Sequence, residues 1–134
     1  HVRETIEPAL RRGAVVICDR YSDSTRAYQG YGRGLGLSFV DRVDRIATGG
    51  LRPDLTLLLD LPVREGLARA RRRGRLTRLD LERMRFHEKV RSAFLVLATR
   101  EPGRIRVVDG RIGQVETAEV IHRHVRALLA KRPR

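Results

Sequence analysis

One cysteine in 134 residues, Cys18, leaves this chain without an internal disulfide and fits a reducing compartment. It stands in the run Val15-Val16-Ile17-Cys18, a setting that predicts a packed thiol rather than a reactive one. Lysine is nearly missing too, with Lys89 and Lys131 its only occurrences. Acidic residues number 16 against 29 basic ones, so the net charge is +13 and the cationic surface is almost all arginine. Such a surplus favours an anionic partner, although arginine-rich codon usage gives the same composition with no function attached. Aromatic residues make up 4% of the chain and are not spaced as a platform for stacked bases. That weighs against a basic nucleic-acid binding module, which the charge alone would suggest. No apolar run approaches the roughly 20 residues of a membrane span, and no secretory leader is expected. The phosphate-cradling pattern G-x-x-x-x-G-K-[ST] occurs nowhere. His122 and His124 are two apart on a predicted helix, hence on different sides, and make a poor metal site.

What is present is a repeating pattern. Three short apolar runs each end in an aspartate: Ala14 to Cys18 before Asp19, Leu55 to Leu59 before Asp60, and Ile105 to Val108 before Asp109. Continuous apolar character predicts central parallel strands covered on both faces. Helical patterns lie between them. Ser38 with Asp41 three residues on reads as a capping box, followed by a stripe of Phe39, Val40, Val43, Ile46 and Ala47 until Gly49-Gly50. Val63 to Arg73, Leu79 to Thr99 and Thr117 to Ala130 read as three further helices, with Phe86, Val90, Phe94, Leu95 and Leu97 mostly inward on the second. The alternation predicts one α/β domain with a doubly wound parallel sheet. Ligands of such sheets bind beyond the carboxyl ends of the strands. Asp19, Asp60 and Asp109 all belong to that edge, and for the last two capping of the following loop is the better expectation.

Asp19 and Arg20 emerge where the first run ends. An aspartate there suits a hydrated magnesium ion, and the arginine suits a phosphate, although a local salt bridge between the two is the plain alternative. Ser24, Thr25 and Tyr28 fall on one side of a helical turn, and Gln29 follows at the head of a glycine-rich stretch ending at Gly34. Hydroxyls, an amide and an aromatic on one face can read a sugar and a flat base, or the tyrosines can simply anchor packing. Arg69, Arg71, Arg72, Arg73, Arg75 and Arg78 crowd ten residues. Charges that dense repel unless an oxygen-rich anion sits among them, so the stretch asks for phosphate, with a solvated basic face or a nucleic-acid patch as the alternative. His87, beside Phe86, can face a ligand or simply pack or meet solvent.

Two long runs carry a resemblance. Val16-Ile-Cys-Asp-Arg-Tyr-Ser-Asp-Ser-Thr-Arg-Ala-Tyr-Gln-Gly-Tyr-Gly-Arg-Gly34 and Ala47-Thr-Gly-Gly-Leu-Arg-Pro-Asp-Leu-Thr-Leu-Leu-Leu-Asp-Leu-Pro62 resemble the signatures of bacterial thymidylate kinases. The arginine-rich stretch resembles that family's LID (about 69–80), and residues 86–97 and 107–109 resemble the helix and last strand that follow. The resemblance covers nearly all of the chain. It implies a P-loop nucleoside monophosphate kinase-like fold, of which residues 1–134 form a single domain making up the C-terminal two-thirds. The N-terminal strand, the P-loop and an upstream base-reading arginine are expected to precede His1.

The resemblance implies transfer of the γ-phosphoryl group of ATP to dTMP, giving dTDP, with Mg²⁺, in a cytoplasmic homodimer. The dimer contact implied is through helices including residues 38–47. Asp19 would then hold the metal through water, and Arg20 would clamp the acceptor and transferring phosphates. Ser24, Thr25, Tyr28 and Gln29 would line the dTMP pocket, with Tyr28 under the deoxyribose. Arg69, Arg71 and Arg73 would belong to the LID, Arg73 stabilising the transition state. Thr77 and Phe94 depart from the family pattern, which more often has an acidic residue and a tyrosine. Without a P-loop, residues 1–134 alone are expected to be inactive. Another nucleoside monophosphate kinase is the nearest alternative.

Overall fold

The computed structural model describes the backbone of residues 1–72 and 80–131, and side chains within 1–70 and 84–131. Six helices and two strands are built from these residues. Helix α1 opens as a wide π-type turn, Val2–Ile6, and tightens into Glu7–Arg11. Helix α2 does the reverse, running from Ser22–Thr25 into the wider Arg26–Gly32. Then come α3 (Leu37–Thr48), β1 (Thr56–Asp60), α4 (Val63–Arg72), α5 (Asp80–Arg100), β2 (Ile105–Asp109) and α6 (Gln114–Leu129).

The strands β1 and β2 are parallel, with Thr56 opposite Ile105 and Asp60 opposite Asp109. A parallel pair needs a crossover, and α4 and α5 supply it. Two of the three apolar runs are therefore strands. The third, Ala14 to Cys18, is not: none of its residues joins a ladder among the described residues, and Val15 and Ile17 are 58% and 94% exposed. A strand holds its extended backbone by pairing with a neighbour, and among the described residues none lies beside this run. Cys18 is exposed, not packed, for the same reason. Coverage on both sheet faces also fails, since Leu59 and Val107 are about half exposed.

The core lies where α2 crosses α5 above the sheet. Ala27, Val90, Ala93, Leu97, Ala98 and Ile105 are buried there, with Tyr28, Tyr31, Leu58, Phe86 and Phe94 packed around them. The close approach rests on Gly32, where a Cβ would meet Phe86 Cε2 at 2.9 Å and Val90 Cγ2 at 3.0 Å. The glycine-rich stretch is thus mostly helix rather than loop. The inward set on α5 is as the sequence predicts, and the helix boundaries differ by few residues except in α6, which starts three residues early at Gln114.

Helix α3 departs more. Its first turn follows Gly36 at φ 83°, and no side chain caps it, so the Ser38–Asp41 capping box does not form. Asp41 is instead engaged by Arg26 Nε at 2.6 Å, a charged partner that outcompetes a backbone amide. Its C-terminus does stop at Gly49, left-handed at φ 64°. The apolar stripe is present, but Phe39, Val43 and Ile46 face away from the core, 52%, 49% and 82% exposed.

Candidate functional site

Helix α2 is where chemistry-bearing side chains and structural ones divide between two sides. Asp23 and Arg26, three apart, turn toward the sheet and are largely buried. Asp23 accepts a forked pair of bonds from Arg104, at 2.7 and 2.8 Å, and a third from the Thr56 hydroxyl at 2.8 Å. Arg26 donates to Asp41 and, at 3.0 Å, to Glu101. Glu101 also accepts Arg52 at 2.8 Å and Arg104 at 3.0 Å. Three carboxylates and three guanidiniums thereby tie α2, α3, the end of α5 and the starts of both strands together. Burial opposes ionisation of Asp23, but the Arg104 fork and the Thr56 bond outweigh it and hold its pKa below the usual carboxylate value. Arg104, with Arg52 beside it, pulls Glu101 down to about 2.

The opposite side of α2 carries the residues singled out from the sequence. Ser24, Tyr28 and Gln29 are half-buried and Thr25 is exposed, all within six residues of helix. Asp19 and Arg20 are exposed at the approach to the helix. Arg20 folds back so that its guanidinium carbon lies 5.3 Å from the centre of the Tyr28 ring. Its backbone is left-handed, φ 69°, the one such non-glycine residue among those described. The structure therefore brings Arg20 to Tyr28, and it gives Asp19 and Arg20 no ion pair with each other among the described residues. The hydroxyls of Ser22 and Tyr31 are buried without a hydrogen-bond partner among the described residues.

Tyr28 also walls a cleft of about 330 Å³ beyond the carboxyl end of β1, with Asp60, Leu67, His87, Arg91 and Phe94. His87 thus faces a cleft rather than open solvent alone. Asp60 is held by Arg91 in two bonds of 2.7 and 2.8 Å, and its carbonyl oxygen accepts the Gly110 amide at 2.7 Å. A side chain at residue 110 is excluded, because a Cβ would lie 2.9 Å from that oxygen. Asp109 accepts the Arg111 amide at 2.8 Å and its guanidinium at 2.9 Å, which draws the Asp109 pKa down to about 2. Asp109 thereby caps the turn that follows it, as expected, whereas the Asp60 carboxylate is taken up by Arg91 on α5 and caps nothing among the described residues.

Arg69 reaches the same edge, donating to the Gly110 carbonyl at 3.0 Å. The side chain of Arg71, the whole of Arg73 and most of the expected LID lie outside the described residues. No group of three or more histidine, cysteine, aspartate or glutamate residues able to hold a metal occurs among the described residues. Asp19 is a single exposed carboxylate, an oxygen donor of the kind that suits a hard cation held mostly by water. Sequence reasoning missed the ion network entirely. Its only local signals are the pairs Asp23–Arg26 and Glu101–Arg104, each three apart. No helix is long and apolar enough to cross a membrane among the described residues.

Helices joined to a parallel sheet, with a cleft beyond the carboxyl end of its first strand, make this an α/β protein of the class that binds ligands at that edge. The family model described as thymidylate kinase matches residues 1–121, and the chain belongs to the thymidylate kinase family, whose fold is that of P-loop nucleoside monophosphate kinases. It is 57% identical over 109 residues to a thymidylate kinase of Pseudomonas fluorescens, covering 81% of this chain and 52% of that protein. It is 49% identical over 129 residues to one from Pseudomonas putida, covering 96% and 60%. A third, from Trichlorobacter lovleyi, is 43% identical over 136 residues, covering 97% and 64%. The chain thus spans between about half and two thirds of the length of these curated relatives.

Proposed function

We propose that this chain carries the acceptor-binding part of an enzyme that moves the γ-phosphoryl group of ATP to dTMP, giving dTDP. The observation that carries the reading is Arg20 laid across Tyr28 on the helix that also presents Ser24, Thr25 and Gln29. Family membership and the names of the relatives support the reaction. In this assignment Ser24, Thr25, Tyr28 and Gln29 hold the nucleoside, and Arg20 holds its phosphate and meets the group in transit. Arg69, Arg71 and Arg73 belong to a LID closing over ATP. Phosphoryl transfer asks for little covalent help, only alignment and positive charge where the equatorial oxygens gain charge. An arginine fork supplies both without being consumed. Mg²⁺, bound through Asp19 by water, would supply further positive charge to the phosphates.

The finer parts of the reading are a cytoplasmic location, supported by the free thiol of Cys18, and a homodimer formed through the exposed apolar face of α3. Fractionation of the source cells tests the first, and sedimentation the second. Residues 1–134 alone, which contain no P-loop sequence, do not phosphorylate dTMP. A coupled assay showing robust ATP-dependent turnover by them overturns that statement. In a polypeptide of full family length, Arg20→Ala lowers turnover more than tenfold, about 1.4 kcal/mol of barrier. The reading as a whole is tested by thermal stabilisation with a panel of monophosphates. dTMP should stabilise at concentrations where dUMP and dCMP do not. Equal response to another monophosphate points to a different kinase of the same fold. Tight, steeply salt-dependent DNA binding without any nucleotide response sinks it.

A further inference from the structure

Arg20 is placed by an unusual combination of restraints. Its left-handed backbone, φ 69°, is costly for any residue with a Cβ, and Tyr21 behind it is fully extended, φ −146° and ψ −153°. The chain therefore turns sharply at Arg20, and the side chain returns over α2 to the Tyr28 ring, 5.3 Å from its centre. That ring is itself fixed. Phe86 meets it edge-on at 6.0 Å and 62°, and Phe94 does so at 6.3 Å and 79°.

The choice of partner matters electrostatically. Arg26, Arg52, Arg91, Arg104 and Arg111 each meet a carboxylate, which neutralises the charge and occupies donors. Arg20 makes no ion pair among the described residues. A ring face attracts a guanidinium without neutralising it and leaves its N–H edges free to donate. The cation is thus oriented in advance while its full affinity for an anion is kept.

We propose that Tyr28 is a positioning residue for Arg20: its π face, not its hydroxyl, holds the guanidinium ready for the phosphate of a nucleoside monophosphate. The inference rests on the dTMP reading above and adds a duty for Tyr28 beyond lining the sugar. A tyrosine that only packs under the sugar treats a nucleoside and its monophosphate alike. A tyrosine that positions Arg20 affects only the phosphate increment.

Calorimetric titration of the protein with thymidine and with dTMP separates the two. The ratio of the two affinities is the readout, and losses of sugar packing cancel in it. Tyr28→Phe should keep the wild-type ratio. Tyr28→Leu and Tyr28→Met, which fill the space without a π face, should lower it about 2- to 5-fold, the size of an exposed cation–π contact. In an Arg20→Met background, Tyr28→Leu should no longer change the ratio. Comparable melting temperatures identify which of the two aliphatic variants is read. An unchanged ratio in the aliphatic variants, or an equal fall in Tyr28→Phe, overturns the proposal while leaving the dTMP reading intact. Failure of the wild-type protein to bind either ligand overturns both.

Discussion

At the scale of single residues, Arg20 shows a local cost carried for position. A left-handed L-residue is disfavoured by about 1–2 kcal/mol, and the contact with Tyr28 returns only part of that. Glycine has no Cβ to clash, so the usual order of glycine and alanine should reverse here. At an ordinary exposed position, Gly is the less stable of the two. At residue 20, Arg20→Gly should be more stable than Arg20→Ala by about 1 kcal/mol in urea unfolding, while both lose the phosphate increment in binding. Equal stabilities, or a more stable alanine variant, would show that the left-handed turn is not held in solution. That Ser24, Thr25 and Tyr28 share one side of a helix was legible from their spacing. The left-handed turn was not, because sequence gives no sign that a non-glycine residue must occupy it. Cys18 departs from the expectation because apolar neighbours imply burial only when something covers them, and none of the described residues covers this run.

At the scale of elements, periodicity told which residues share a face but not what that face meets. On α5 the stripe faces the core, and Val90 and Leu97 are each 4% exposed. On α3 the same kind of stripe points outward, with only Val40 and Thr48 buried. The helix is tied to the body through Asp41 to Arg26 and by Val40 and Leu37, the latter packed against Gly30. An apolar face left open on an otherwise charged surface suits self-association. Ile46, 82% exposed, contributes little to the monomer, so Ile46→Glu should leave urea unfolding within about 0.5 kcal/mol of wild type. At the centre of a dimer contact the same change should cost about 2 kcal/mol or more of association, a rise of roughly 30-fold in dissociation constant. Sedimentation velocity over a concentration series reads this directly. A wild-type protein that stays monomeric throughout, or a variant that dimerises equally well, excludes α3 as the contact.

At the scale of the whole molecule, charge pairs across long sequence separations link α2, α3, the end of α5 and the strand starts. Asp23 and Arg104 are 81 residues apart, and Arg52 and Glu101 are 49 apart. No local pattern announces such partners. That is why the α/β class and two strands could be read from the sequence while the network binding them could not. The third apolar run failed as a strand for a related reason, since a ladder belongs to a pair of segments and not to one. The network makes acid sensitivity specific. Glu101, held near pKa 2 by Arg104 and Arg52 against an ordinary 4.5, binds protons less readily in the folded state than in the unfolded one. Its contribution is therefore full above about pH 4.5 and is lost as pH falls from there through 2, and the lowered Asp23 acts in the same direction. A chain of net charge +13 also repels itself more as its other carboxylates are protonated, so a simple fall in stability with acid is ambiguous. Glu101→Gln resolves it, because glutamine mimics the protonated acid at every pH. The variant should be less stable than wild type at pH 7, and the gap in urea midpoint should stay constant down to about pH 5. Below pH 4.5 it should narrow steadily as wild type loses what the variant never had. A gap of the same size at pH 3 and pH 7 would mean that Glu101 titrates normally and that its three arginine contacts carry no stability.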